Sequence, residues 1–272
     1  MKKLFFFDID GTLIECENGI YSIRQEDRKA MDMLKQNGHN VFLATGRCKC
    51  FIVDGVMDYP FSGYVTCNGA YVEYNGKAVY KKVIPTEAIQ LTHDICVERN
   101  MAYYFENSEN IYILNKSNTK HIEFKNEWGM KDEILVDDFN INDIETYIGM
   151  IVVNNEDDVE YIKGKLSPYF DIQRHQFGNS FDLTLKGESK AKGISQLVSS
   201  LNLEMKDTIA FGDGRNDVEM LRDVGLGIAM GNGAQEAKNV SDYITDSVNN
   251  FGIIKALKHY KYLDWDKMII LC

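Results

Sequence analysis

The feature that most restricts the fold is a short run of large apolar residues that ends in two carboxylates. Leu4–Phe7 is followed directly by Asp8, and Asp10, Gly11 and Thr12 complete the motif. Four bulky apolar residues in succession are typical of a strand that is buried on both faces, as in a parallel sheet. Ligands bind beyond the carboxyl ends of such strands, so both acids are expected at a binding edge.

The spacing of the two acids indicates more than a surface loop. Asp8 and Asp10 are two residues apart, so in extended backbone their side chains point the same way. Carboxylates that are held close together do not both stay ionised easily unless a cation or a shared proton relieves their repulsion. A solvated loop is the alternative, but a pair of acids directly after a buried strand favours a functional site.

A helix and a second strand follow the first motif. The apolar spacing predicts a helix over residues 25–36, which ends at Asn37 and Gly38, and a strand over residues 40–44. This is a β-helix-β unit of the length that a right-handed parallel crossover needs. Its second strand also ends in polar residues, and these are Thr45, Gly46 and Arg47. Two strand ends are therefore predicted to converge at one edge.

A third strand end supplies two more acids. The apolar residues 209–211 lead into Gly212, Asp213, Gly214, Arg215, Asn216 and Asp217. Asn216 and Asp217 could act only as a helix cap, but Asp213 precedes Asp217 by four residues and follows a strand like the first. A cluster made only of oxygen ligands suits Mg²⁺. We therefore predict a magnesium site formed by Asp8, Asp10, Asp213 and Asp217.

The middle of the chain has a different pattern. Short strands and helices fill residues 83–185, with no regular alternation, whereas residues 1–82 and 186–272 alternate helix and strand. Asn75 and Gly76 predict a hairpin with a type I′ turn just before the change. The predicted fold class is α/β, with a Rossmann-like parallel-sheet core at residues 1–82 and 186–272 and an inserted α+β domain at residues 83–185.

Charge and composition limit the partners. With 30 basic and 41 acidic side chains, the formal net charge is −11, which argues against nucleic acid or an anionic membrane surface as a partner. A small anionic substrate is possible if a metal or local positive groups hold it. No apolar stretch is long enough to span a membrane, and Asp8 interrupts the apolar run at the start before it could form a signal sequence.

The six cysteines predict a reducing compartment. They form no CxxC pair, and the spacing of Cys48, Lys49 and Cys50 is a poor one for a metal site or a disulfide. We therefore expect reduced thiols and a cytoplasmic location.

If the small anionic substrate carries a phosphate, the site also needs a lysine. A divalent cation covers only part of the charge of a phosphate. Lys190 and Lys192 lie where the core resumes, and Lys192 directly precedes Gly193. A lone lysine is usually solvated. On this spacing we favour Lys192 over Lys190 as the cation of the site.

Together these motifs resemble the four ordered motifs of the haloacid dehalogenase superfamily, and the chain is similar to its Cof-type phosphatases, which carry a large α/β cap. The resemblance covers the whole chain. It implies Asp8 as nucleophile, Asp10 as general acid and base, and a second set of residues that bind phosphate: Thr45, Gly46, Arg47, Lys192 and Asn216. In that family Asp10 binds the metal through its backbone carbonyl, and Asp217 would support the metal indirectly.

The resemblance implies a Mg²⁺-dependent phosphatase that hydrolyses a small phosphorylated metabolite, first a sugar phosphate, through an aspartyl-phosphate. The alternatives are a phosphatase of a phosphorylated cofactor such as flavin mononucleotide or pyridoxal phosphate, a phosphomutase, and a binding protein without catalysis. We expect a monomer or a weak homodimer. Arg47 and Asn68 are also candidates to face the substrate, and candidates for specificity in the insertion are Arg174, His175, Asn179 and Ser180.

Overall fold

A computed structural model describes residues 2–114, 116, 117, 119–175 and 178–263, and within these ranges the side chains of residues 17 and 127 are excepted. Cys272, one of the six cysteines considered above, lies outside the described residues. The chain divides into two compact units. The first comprises Met1–Gly46, Ile52–Tyr80 and Ser189–Cys272, and the second comprises Arg47–Phe51 and Lys81–Glu188.

Strands and helices alternate at both ends of the chain. The strands are β1 (Leu4–Phe7), β2 (Asn40–Ala44), β3 (Gly63–Thr66), β4 (Tyr71–Tyr74), β5 (Lys77–Lys81), β6 (Ala102–Glu106), β7 (Ile111–Ile113), β8 (Leu135–Val136), β9 (Ile148–Val152), β10 (Phe170–Arg174), β11 (Ser180–Leu185), β12 (Thr208–Gly212), β13 (Leu226–Ala229) and β14 (Tyr243–Ile244). The α-helices are α1 (Gln25–Gln36), α2 (Asp54–Met57), α3 (Thr86–Arg99), α4 (Thr119–Trp128), α5 (Glu156–Leu166), α6 (Lys190–Ser200), α7 (Val218–Asp223), α8 (Gln235–Val240) and α9 (Gly252–His259).

The first unit is built on one sheet with the strand order β14-β13-β12-β1-β2-β3-β4-β5. The pairs from β14 to β3 are parallel, and β3 pairs with β4 in the antiparallel sense. Strand β1 lies between β2 and β12, with Phe7 beside Leu43 and Phe211. The chain therefore leaves β1 toward one side and returns on the other. Such a switch in strand order opens a crevice at the carboxyl ends, where Asp8 follows β1.

Both faces of this sheet are buried, which explains the continuous apolar strand. Phe5 and Phe7 pack on one face with α1 and α9, and Leu4 and Phe6 pack on the other with α6 and α7. Helix α1 contributes three fully buried side chains at helical spacing, which are Ala30, Met31 and Leu34. It ends at Gln36, Asn37 is its C-cap, and Gly38 follows with φ +85°, a left-handed conformation that favours glycine at a helix end.

The second unit has its own sheet and its own core. The strand order is β10-β11-β9-β6-β7-β8, antiparallel except for the pair β7 and β8. One face carries Tyr103, Phe105, Ile151, Phe181 and Leu183, which pack against α3 and α5. Alternate residues of the same strands, among them Tyr104, Glu106 and Asp182, lie on the opposite face. This unit is of the α+β type.

The predicted fold class is confirmed. The parallel sheet, the type I′ turn at Asn75 and Gly76, the helix at residues 25–36 and the strand at residues 40–44 all lie where the sequence places them. The sequence interpretation missed α2 and β8, which are too short to show a period. Within the described ranges, no helix has the length and apolar character that crossing a membrane requires.

Candidate active site

Three carboxylates meet at the carboxyl edge of the first unit's sheet. Asp8 follows β1, Asp213 follows β12, and Asp217 precedes α7. Each residue offers one carboxylate oxygen, and these oxygens all lie within 4.8 Å of one another. Asp8 and Asp217 are buried and Asp213 is half-buried. Adjacent parallel strands therefore deliver acids from distant parts of the sequence to one point.

Two glycines make room for this cluster. A Cβ atom on Gly11 would lie 2.2 Å from Oδ2 of Asp213, and Gly11 has φ +79°. A Cβ atom on Gly212 would lie 2.6 Å from Cγ of Asp217. Because real atoms do not approach so closely, any side chain at either position would displace a carboxylate. The glycines that flank the acids in the sequence are thus a packing requirement of the site.

Lys190 is the cation of the cluster. Its Nζ atom donates to Oδ1 of Asp8 and to Oδ1 of Asp217, each at 2.7 Å, and the residue is 0% exposed. The preference for Lys192 was therefore wrong. Lys192 is exposed, and its backbone N–H donates to the hydroxyl of Ser189, which caps α6. Residues two apart on a helix point in different directions, so only one lysine can reach the acids.

Asp217 holds the loop that carries Asp213. Its Oδ2 atom accepts hydrogen bonds from the backbone N–H groups of Asp213 and Gly214, at 3.0 Å and 2.9 Å. Its other oxygen accepts from Lys190. Asp217 therefore uses both oxygens to fix its neighbours, and this geometry is that of a positioning residue.

The site carries more negative than positive charge. Burial and the nearby charge of Asp217 raise the pKa of Asp8 to about 7, with Lys190 opposing the shift. Burial and the charges of Asp8 and Asp217 raise the pKa of Asp213 to about 8. Burial alone would lower the pKa of Lys190, but the two adjacent carboxylates outweigh it and raise that pKa. Three carboxylates beside one ammonium leave two negative charges uncompensated when all are ionised.

These residues fit a divalent cation. The donor atoms are all carboxylate oxygens, which hard cations such as Mg²⁺ prefer. A divalent ion would also balance the two surplus charges and remove the repulsion that raises the pKa values of Asp8 and Asp213. Asp8 and Asp213 would hold the ion, because both oxygens of Asp217 already accept hydrogen bonds.

The predicted phosphate-binding residues of the first unit form a second group. Asn216 donates from Nδ2 to Oδ1 of Asn68 at 3.4 Å, and a Cβ atom on Gly46 would lie 2.9 Å from that same oxygen. Thr45 is 1% exposed, and its backbone carbonyl accepts from the N–H of Asn68. The structure therefore brings Thr45, Gly46 and Asn216 together around Asn68.

The loop that carries Asn68 has an unusual backbone. Cys67, Asn68 and Gly69 are consecutive and have φ values of 54°, 49° and 92°. Side chains other than glycine rarely adopt this left-handed region, and such strain is concentrated at functional sites. A Cβ atom on Gly69 would lie 2.0 Å from the carbonyl oxygen of Ser189, so the loop packs directly on the start of α6. That helix start also carries Lys190.

Asp10 and Arg47 are two further predicted site residues. Asp10 is exposed and its backbone pairs with Ile14, although its charge contributes to the raised pKa of Asp8. Arg47 belongs to the second unit, where it donates to the carbonyl oxygen of Phe51 at 3.2 Å and covers the Phe51 ring. The catalytic role of Asp10 and the phosphate-binding role of Arg47 stay predictions.

The candidates for specificity in the second unit already have protein partners. His175 contacts Oδ1 of Asp182 at 2.7 Å and the hydroxyl of Ser180 at 2.8 Å. Burial would lower the pKa of His175, but Asp182 outweighs it and raises that pKa. Arg174 contacts Glu156 and Asn179. Their role in recognising a substrate stays a prediction.

Two residues that tie the loops together are not among the predicted site residues. Thr12 donates from Oγ1 to Oδ1 of Asp213 at 3.2 Å. Asn232, which follows β13, donates from Nδ2 to the carbonyl oxygen of Gly11 at 2.7 Å and accepts from the N–H of Val248. The sequence carries a signal for Asn232, which lies between two glycines, Gly231 and Gly233, at a strand end. Asp213 is also placed between two glycines at a strand end.

Comparison with known proteins gives consistent matches. Residues 5–257 match the family model of the haloacid dehalogenase-like hydrolases. The chain is 29% identical to YkrA of Bacillus subtilis (strain 168) over 263 residues, 94% of this chain and 97% of that protein. It is 28% identical over 262 residues, 95% of each chain, to 5-amino-6-(5-phospho-D-ribitylamino)uracil phosphatase YcsE of the same organism.

A solved structure agrees over the same length. The subclass IIB sugar phosphatase BT4131 superposes with a TM-score of 0.82 at 28% identity, covering 96% of this chain and 100% of that one. The prediction of a phosphoric monoester hydrolase is confirmed by these matches. The chain belongs to the haloacid dehalogenase-like hydrolases, as its four motifs predicted.

Proposed function

We propose that this protein is a Mg²⁺-dependent phosphatase that transfers the phosphoryl group of a small metabolite to Asp8 and then to water. The observation that carries the proposal is the placement of a buried carboxylate against a buried ammonium at a strand end, within a cluster of acids. Lys190 contacts Asp8 at 2.7 Å. Such a pair is prepared to meet a phosphate, whose charge the ammonium and a cation would share.

Asp8 is the proposed nucleophile. Its free oxygen would attack phosphorus opposite the leaving oxygen, and the P–O bond to the substrate alcohol would break as the bond to Asp8 forms. This step divides one difficult displacement into two easier ones. Lys190, held also by Asp217, fixes the orientation of Asp8. It also adds positive charge beside the transferred group.

Asp10 is the proposed proton carrier. In its protonated form it would donate to the leaving alcohol, and as a carboxylate it would then remove a proton from the water that attacks the aspartyl-phosphate. Its exposed position after the strand leaves it in contact with solvent, which suits a group that must exchange protons. The first product would be the alcohol and the second inorganic phosphate.

Asp8 and Asp213 are the proposed holders of Mg²⁺, with Thr12 and Asp217 fixing Asp213 by its side chain and its backbone. When bound, the ion would neutralise charge on the phosphate oxygens. Thr45, Gly46 and Asn216 are the proposed phosphate-binding residues. The hydroxyl of Thr45 and the amide of Asn216 would donate to the remaining phosphate oxygens.

The proposed substrate class is a phosphate ester of a sugar or a sugar alcohol. BT4131 is a sugar phosphatase, and the substrate in the name of YcsE carries its phosphate on a ribityl chain. Both proteins match this chain over more than nine-tenths of its length. Their shared chemistry is a phosphate on a hydroxylated carbon chain, and that chain also occurs in flavin mononucleotide.

The second unit is the proposed specificity domain, with Arg47 and residues of the insertion as candidates to contact the substrate. We expect the enzyme to act in the cytoplasm, as a monomer or a weak homodimer.

A purified native protein and an Asp8→Asn variant of unchanged circular dichroism test the proposed function directly.

The assay is release of inorganic phosphate from sugar phosphates, sugar alcohol phosphates, flavin mononucleotide and pyridoxal phosphate, with Mg²⁺ and with a chelator. The proposal predicts turnover by the native protein with Mg²⁺ and none above background by the variant. Phosphate release that requires a sugar bisphosphate would instead indicate a phosphomutase. Equal release by native protein and variant would contradict the proposal.

A further inference from the structure

The segment that follows Gly46 carries two cysteines whose sulfur atoms are very close. Sγ of Cys48 and Sγ of Cys50 lie 3.2 Å apart, and both residues are in the thiol form. A disulfide bond is about 2.05 Å long. Closing the bond therefore needs an approach of about 1.2 Å. The sequence spacing predicted a poor disulfide pair, but the tight turn at residues 49–51 brings the two sulfurs together.

We propose that Cys48 and Cys50 are an oxidative modification site, at which peroxide converts the two thiols to a disulfide. Their burial assigns the two roles. Cys50 is half-buried and can meet a small oxidant, whereas Cys48 is 0% exposed and can react only with its neighbour. Redox-sensitive cysteines are typically accessible and lie next to a second, resolving cysteine.

The reaction balances with hydrogen peroxide as the oxidant. The thiolate of Cys50 attacks one peroxide oxygen and becomes a sulfenic acid, and the displaced hydroxide takes the proton that Cys50 released and leaves as water. The sulfur of Cys48 then attacks the sulfur of Cys50, and the S–O bond breaks. The expelled hydroxide takes up the proton that the Cys48 thiol gives up and leaves as a second water. Two thiols thus lose two electrons and two protons, and one peroxide becomes two waters.

Glu106 is placed to receive the proton of Cys48. The thiol of Cys48 donates a hydrogen bond to the Glu106 carboxylate, and Glu106 is 7% exposed. Burial raises the pKa of Glu106 to about 7, so this carboxylate can accept and release a proton near neutral pH. Cys50 contacts Asn107, the residue that follows Glu106, because its Sγ atom lies 3.6 Å from the carbonyl oxygen of Asn107. Both thiols are therefore held against one strand end.

The modification would reach the proposed phosphate-binding residues through the backbone. Cys48 follows Gly46 by two residues, and Gly46 has no spare room beside Asn68. A shift of about 1 Å at positioned groups can cost enzymes up to about a hundredfold in rate. We expect the disulfide to lower turnover by about tenfold. This consequence, unlike the disulfide itself, rests on the proposed function.

Mass spectrometry tests the site without any assay of activity. The reduced native chain, exposed to hydrogen peroxide and then alkylated, is expected to accept two fewer alkyl groups, with the bond mapped to Cys48 and Cys50. The Cys16→Ser variant, which lacks an exposed cysteine elsewhere in the chain, should also accept two fewer alkyl groups after peroxide treatment. Cys50→Ser and Cys48→Ser should form no such bond. A native chain that keeps all its thiols, or pairs other cysteines, would overturn the proposal.

Phosphate release from the same samples tests the consequence. We expect lower turnover after oxidation of the native protein and of Cys16→Ser, recovery with dithiothreitol, and no such change in Cys50→Ser. Full turnover in a chain shown to carry the disulfide would overturn the regulatory consequence. If the reduced protein shows no turnover, the proposed function and this consequence both fail, and the mass measurement still decides the modification site.

Discussion

Lys190 Nζ lies 2.7 Å from Oδ1 of Asp8, and both side chains are buried. These residues are 182 positions apart in the chain, and the parallel sheet brings their segments together. A buried ion pair contributes little to stability on balance, but removal of one member leaves the other charge buried without compensation. This arrangement is therefore better explained by a role in the proposed reaction than by a contribution to stability. The first prediction concerns Lys190.

Replacement of Lys190 by Met should lower kcat by about 10²–10³-fold, because the positive charge beside the transferred phosphoryl group is lost. The variant should also lose about 3–5 kcal/mol of unfolding free energy, since Asp8 and Asp217 stay buried together. Steady-state kinetics and urea unfolding measure the two effects. Lys192→Met is the matched control, and its unfolding free energy should stay within about 0.5 kcal/mol of the native value. Equal kinetic losses in both variants would remove Lys190 from the proposed site.

Asp10→Asn should affect substrates according to their leaving groups. The quantity to compare is kcat/KM, because it reports the steps up to transfer of the phosphoryl group to Asp8. For an alkyl phosphate the variant should lose about 10²–10⁴-fold, the usual contribution of a general acid. For an activated aryl phosphate, whose leaving group needs no proton, the loss should be much smaller. Losses of the same size on both substrates would argue against the acid role.

Mg²⁺ should stabilise the folded protein. Asp8 and Asp213 repel each other in the absence of a cation, and an ion that binds only the folded state adds about 2.7 kcal/mol when present at about 100 times its Kd. For a chain of this size the melting temperature should rise by several degrees, at about 2–4 °C for each kcal/mol. Differential scanning calorimetry with Mg²⁺ and with a chelator measures the shift. Asp213→Asn should reduce it, and an unchanged shift in that variant would place the metal elsewhere.

Asp27 should make stability depend on pH. It is 2% exposed in α1, and its Oδ1 atom has no hydrogen-bond partner among the described residues. Burial raises its pKa from 3.8 to about 7, against the charge of the adjacent Arg24. The folded state then binds this proton more tightly than the unfolded state, so stability falls as pH rises from about 4 to about 7.

Asp27→Asn removes this dependence, and denaturant unfolding across the pH range measures the change. The variant should be more stable than the native protein at pH 8, by roughly 2–4 kcal/mol at most, with the difference vanishing near pH 4. Asp54→Asn, at the start of the short helix α2, is the control for loss of a carboxylate. A difference between Asp27→Asn and native protein that does not vary with pH would contradict the assignment.

The sequence was sufficient for the fold and for three of the four predicted acids. Continuous apolar strands, each followed by acids or hydroxyls, predicted a parallel sheet with a site at its carboxyl edge. Asp8, Asp213 and Asp217 do lie together there. This inference worked because in a parallel sheet the end of a strand in the sequence is also a place in the structure.

The sequence was not sufficient to choose a lysine or to see the cysteine pair. Lys190 and Lys192 have the same chemistry, and only the direction of α6 decides which one reaches Asp8. Cys48 and Cys50 are poorly spaced for a disulfide in extended backbone, and only the turn at residues 49–51 brings their sulfurs close. Each choice depends on backbone direction at one residue, which periodicity does not specify.

The central claim is that the phosphoryl group passes through Asp8. The most direct measurement is mass spectrometry of Asp10→Asn, quenched in acid during turnover of an activated aryl phosphate. This variant should accept the phosphoryl group readily but release it slowly, because the base that activates water is missing. We predict a phosphoryl group on the peptide that contains Asp8. We predict none in the double variant that carries both Asp10→Asn and Asp8→Asn. Continued phosphate release with no phosphoryl group on the protein would contradict the account.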